Sequence, residues 1–172
     1  MPILPAERDP RLITVRRGGS LTDTDHRLLA EWAVVCAAHV LPLFEGERPQ
    51  DPRPREALDV ARAWIRGEVP MKVAHRTAFV ANAAGRGQAD PVKFAALAAG
   101  QAVAVAHVAA HDLGAAAYAI RAATAAAPAG DAEAARLRER DWQRELIPAG
   151  LRELVLEDQL NRSPICWNAF DD

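Results

Sequence analysis

Aromatic side chains and cysteines are scarce in this chain, and neither sign of charge is in large excess. Aromatics are 5% of the 172 residues, so rings alone cannot fill a core, and small side chains must bring backbones close together. The two cysteines, Cys36 and Cys166, stand in no CxxC or CxxH spacing, which argues against a structural zinc ribbon. A domain of this length also needs no disulfide. The formal net charge is −2 and the pI is near 6.2. Both signs are interspersed, so no nucleic-acid partner is expected. The first 20 residues carry charges throughout and contain no long apolar run, so no secretory signal is read there and the expected location is cytoplasmic. A P-loop Lys-Ser/Thr and an HExxH motif are both missing, so neither nucleotide hydrolysis nor zinc-peptidase chemistry is implied.

Alanine is what the chain has in abundance, at 38 of 172 residues. It is the best helix former and a poor strand former. With half of its residues apolar, a chain of this length makes one domain with a real core. The expected fold class is all-α: a single-domain multi-helix bundle (22–160), an extended N-terminal arm (1–21), and a C-terminal tail (161–172) docked on the bundle through Ile165, Cys166, Trp167 and Phe170.

Start and stop signals divide the bundle. Thr22, Asp23 or Thr24 can cap a first helix, and Leu28, Trp32, Cys36, Val40 and Leu43 then recur at helical spacing, with Pro42 bending or ending it. Pro54 and Pro70 open a second and a third helix, and Gly67 closes the second. Ala74, Ala78, Val80 and Ala81 are expected inside the third, with Lys72, His75, Arg76 and Asn82 outside. Asp90-Pro91 opens a fourth, Asp131 caps a later one, and Leu151–Gln159 makes the last. Trp32 and Trp64 both sit on apolar stripes and are expected to be buried.

The segment from Phe94 to His111 has no Asp, Glu, Lys or Arg. It is long enough to span a membrane, but its alanine, Gln101 and two histidines favour a buried central helix, and no membrane partner is expected. An unbroken helix over 95–127 would be roughly 50 Å long, too long for this domain. A break is therefore expected near His111–Gly114, with Asp112 capping a new helix.

Within that segment lie His107 and His111, four residues apart and so on one helical ridge. They form either a hydrogen-bonded polar pair in the core or two ligands of a divalent metal ion, with His39 as the best third ligand. Cys36 and His39, one turn apart, have the spacing of a thiol–imidazole pair, although a mid-helix cysteine on an apolar stripe is ordinarily core. Arg16-Arg17-Gly18-Gly19 can either cradle an anion or pin the arm to the bundle. The alternating charges of residues 133–145 read as a solvated helix face. No residue set announces a reaction, and no cofactor is required by the sequence.

Several stretches together resemble a known family. They are Asp9-Pro10-Arg11-Leu12, Arg16-Arg17-Gly18-Gly19-Ser20-Leu21-Thr22, Asp25-His26-Arg27-Leu28-Leu29 with Trp32, Arg53-Pro54-Arg55, and Ala61-Arg62-Ala63-Trp64 with Gly67. Ala106-His107-Val108-Ala109-Ala110-His111 running into Gly114–Ala119 belongs with them, as do Trp142-Gln143 and Leu151-Arg152-Glu153-Leu154. From about residue 9 to about 160 the chain is similar to the immunity-5-like immunity proteins of bacterial polymorphic toxin systems. That resemblance implies a helical, non-catalytic protein that binds and neutralises a cognate toxin, and it brings no catalytic residues with it. Metal binding by His107, His111 and His39 is the alternative reading. A homo-oligomer is a third, because alanine-rich helices can pack against copies of themselves.

Overall fold

A computed structural model describes residues 3–172, so the first two residues of the expected arm lie outside the described part. Thr22 starts the first helix, its side-chain oxygen accepting the N–H of Asp25 at 3.1 Å. Asp23 and Asp25 lie in the first turn, where the helix dipole favours them. The helix, α1, runs Asp23–Glu47 and buries Leu29, Trp32, Cys36, Val40 and Phe44. Pro42 does not end it. The proline faces outward while Leu41 and Phe44 are buried beside it, so packing on both sides outweighs the one lost N–H bond. Of the described helices, α1 alone is long and apolar enough to cross a membrane, and 56% of its apolar window is buried inside the bundle.

Six more α-helices follow: α2 (Arg53–Ile65), α3 (Met71–Ala84), α4 (Val92–Ala104), α5 (Asp112–Ala126), α6 (Ala132–Glu145) and α7 (Arg152–Arg162). Helix α4 is central, packed against α1, α2, α3 and α5, and α6 covers α5. From Phe94 to Ala104 nearly every residue of α4 is buried. Small side chains make this closeness feasible. A Cβ at Gly100 would overlap Asn82 Oδ1 on α3, and one at Gly114 on α5 would overlap the amide of Gln101 on α4. Asn82 therefore turns inward, contrary to the expectation for α3, while Val80 is 48% exposed.

The break between α4 and α5 comes earlier than expected. Helix α4 stops at Ala104, Val108 is extended, Ala109–His111 form a 3₁₀ turn, and α5 begins at Asp112, whose Oδ1 accepts the Leu113 N–H at 2.7 Å. No proline or glycine lies at residues 105–111. Instead, His26 Nε2 on α1 donates to the Val105 carbonyl at 2.6 Å. A tertiary hydrogen bond takes the acceptor that a continuing helix would use.

The arm is a folded loop. Two 3₁₀ turns, Pro10–Leu12 and Val15–Arg17, flank a single bridge between Thr14 and Leu21. Leu12 and Leu21 are buried. Gly18 has φ +89°, and a Cβ at Gly19 would run into the carbonyls of Pro10 and Ile13, so this tight return requires both glycines. At the other end of the chain, Cys166, Ala169 and Phe170 enter the core. The arginines of α6 hold this tail. Arg136 donates to the carbonyls of Ala169 and Asp171, Arg144 to that of Phe170 at 2.8 Å, and Arg140 and Arg144 both pair with the Asp172 carboxylate at 3.1 Å. Glu139, Arg140 and Gln143 are buried, so this face of α6 is not the solvated one that its alternating charges imply.

Candidate functional site

The two histidines of the central segment part company. Both lie in the α4–α5 break, not on one helical ridge. His111 Nδ1 donates to Gln101 Oε1 at 2.7 Å, and burial lowers its pKa to about 4, assisted by the nearby His107 and Arg162. His107 stacks on His75 of α3 with ring centroids 4.2 Å apart. His39 is elsewhere, on the α1–α6 side, where Nδ1 meets Glu139 Oε2 at 2.8 Å and the ring stacks on Trp142 at 3.8 Å. Among the described residues, no group of three or more His, Cys, Asp or Glu side chains could hold a metal ion. The three-histidine arrangement weighed from the sequence is therefore not assembled. Cys36 is fully buried, and burial pushes its thiol well above the ordinary range. That is the opposite of what a nucleophilic thiol needs.

The structure does bring His107 together with the arm. Arg17 Nη1 reaches the His107 carbonyl at 3.5 Å, and Arg16 pairs with Asp23 in the first turn of α1 at 2.7 Å. Between arm and bundle lies a cleft of about 430 Å³. Arg8, Arg16 and Arg17 line it from the arm, and His26 and Arg27 from α1. Trp64 near the end of α2, Val69 and Pro70 of the α2–α3 connection and Met71 at the start of α3 also line it, with residues 106–109 from the break. Trp64 is thus only partly buried, unlike Trp32, because one side of its ring borders this cleft. His26 meets it in a T-shaped arrangement, with centroids 4.9 Å apart. The positive field registers on the cleft's own groups. Burial lowers the pKa of His26, the Val105 carbonyl and Asp23 oppose that, and Arg16 and Arg17 add to the lowering. For His107 the causes are burial, then His75, Arg17 and Arg8.

Two buried polar networks were not legible in the sequence. Arg162 on α7 is 3% exposed and bonds Asp158 at 2.7 Å, the Ala110 carbonyl at 2.8 Å and the Ile3 carbonyl at 3.0 Å. It ties the α4–α5 break to the arm. Burial raises the pKa of both Asp112 and Asp158, and Arg162 opposes the rise in each. On the other side, Gln143 donates to Glu139 at 3.0 Å and to the Ala116 carbonyl at 3.2 Å, while Trp32 Nε1 donates to the Gln143 carbonyl at 2.9 Å. Asp158 and Arg162 share the i, i+4 spacing common to many surface pairs. Only their burial sets them apart.

These features define an all-α bundle with a cationic cleft roofed by an N-terminal loop. Residues 19–150 match the sequence model of a family described as Imm-5 like putative immunity protein, and the chain belongs to that family. The match takes in α1 to α6 and the bundle side of the cleft, and leaves Arg8, Arg16 and Arg17 outside it. No curated protein and no solved structure matches the chain significantly.

Proposed function

We propose that this protein is an immunity protein that neutralises a cognate toxin in the cytoplasm by binding it directly, without catalysis. Membership of the Imm-5 like family over residues 19–150 carries this reading. The surface offers material for an interface. Phe79 and Val80 of α3 are 64% and 48% exposed, and Met71, at the start of the same helix, borders the cleft. Exposed aromatic and Met side chains beside arginines are the composition of a protein-binding face.

The test is co-expression in a bacterial host of this chain with the toxin domain encoded beside its gene. Restored growth and co-elution of the two chains in a stoichiometric complex are expected. A host that stays poisoned while both chains accumulate, with the toxin unretained on immobilised protein, refutes the reading.

A further inference from the structure

We infer that the cleft under the N-terminal loop is a binding site for a small phosphate ester with a planar or apolar body. This is independent of toxin binding. Four arginines line the cleft and only one carboxylate does, Asp23, which Arg16 already occupies at 2.7 Å. Among the described residues, Arg8, Arg17 and Arg27 have no carboxylate partner, and the Arg17 guanidinium reaches only the His107 carbonyl. A single carboxylate is satisfied by one guanidinium fork. Three uncompensated forks around one concavity fit a group with two or more negative charges and several acceptor oxygens, as a phosphate has.

The backbone that carries two of these arginines is also held in place. Arg16 and Arg17 sit on the 3₁₀ turn Val15–Arg17, closed by Gly18 N–H to the Val15 carbonyl and Gly19 N–H to the Thr14 carbonyl, both at 3.1 Å. The bridge to Leu21 anchors that turn to the start of α1. This bonding fixes the backbone that carries Arg16 and Arg17, so that binding has only their side chains left to order. The opposite wall is apolar, made by Trp64, Val69, Pro70 and Met71. At about 430 Å³, the cleft falls within the range of small-molecule pockets. One wall therefore selects the anion and the other its body.

Titration calorimetry on the full chain tests this with three probes: inorganic pyrophosphate, AMP and adenosine. Pyrophosphate and AMP are expected to bind, more weakly as salt is raised, and adenosine is not. Arg17→Gln with Arg27→Gln should weaken AMP binding by about tenfold or more, since the loss of even one of the two charge-assisted contacts is of that size. Both side chains are exposed, so the variant should keep its fold. Trp64→Leu should weaken AMP binding while leaving pyrophosphate binding within about twofold, since an aromatic wall stacks only on a ligand that carries a ring. Absence of binding by both anions, or equal binding by the double-arginine variant, overturns the proposal. So does a result in which an acidic peptide binds at the cleft and the phosphates do not, which would make it a protein-docking groove.

Discussion

Replacing Arg162 with Met is the sharpest test of how this bundle is held together. The substitution keeps an apolar stem and removes a guanidinium that is 3% exposed and makes hydrogen bonds to Asp158, Ala110 and Ile3. It leaves the Asp158 carboxylate buried without its partner and orphans two carbonyls. Breaking one side of a buried ion pair costs about 3–5 kcal/mol. At roughly 2.1 cal/mol/K per residue of unfolding entropy, the melting temperature of this chain should fall by roughly 8–14 °C. The deficit must also depend on pH. Burial already raises the pKa of Asp158 and Asp112, and Arg162 holds both down. Without it, both rise further. A carboxyl whose folded pKa is raised loses stability as pH climbs from its unfolded value, about 4, through the folded one. The variant should therefore be most impaired at pH 8 and recover part of the loss at pH 5. Asp158→Asn combined with Arg162→Met should be less damaging than Arg162→Met alone. Urea denaturation at the two pH values measures all of this. A loss below about 1 kcal/mol, within the range of ordinary surface changes, or one of equal size at pH 5 and pH 8, refutes the reasoning.

Three further outcomes are expected. Gly100→Ala and Gly114→Ala should each destabilise the protein by about 1–3 kcal/mol, the usual cost of overpacking, because Asn82 and Gln101 occupy the space a Cβ would take; thermal melts indistinguishable from wild type would show that these two side chains can swing aside. His111 has a folded pKa of about 4, so its contribution is complete above the unfolded value of about 6.5 and is lost as pH falls toward 4. That loss is at most about 3 kcal/mol, and His111→Gln should flatten the stability profile between pH 6.5 and 4, whereas parallel profiles would count against it. Deleting residues 170–172 removes Phe170, the buried anchor of the tail, with acceptors for Arg136, Arg140 and Arg144; limited proteolysis should then cut the C-terminal segment faster, and an unchanged digestion pattern would show that the tether is dispensable.

Local signals in the sequence determined most of the helices and where they start. Thr22 before Asp23 and Asp25, Pro54, Pro70 and Asp131 act through backbone geometry and the helix dipole within a few residues, so they can be read without knowing the fold. The alanine content likewise determined that the helices would pack closely. Arg16, Arg17 and His107 were legible as separate candidates, but nothing local placed them around one cleft, because they are brought there by the folding of the arm over the α4–α5 break. That break itself depends on His26, which lies 79 residues from Val105 in the chain and captures its carbonyl. Trp64 was expected inside because it follows the apolar period of α2, a period that cannot tell a packed neighbour from a cleft. The charges of α6 misled for the same reason. Alternation at helical spacing describes a surface helix, and only the return of the tail turned Arg136, Arg140 and Arg144 into its clamp. Short-range chemistry set where the helices begin; burial and partner choice, which join residues far apart in sequence, were left to the tertiary structure.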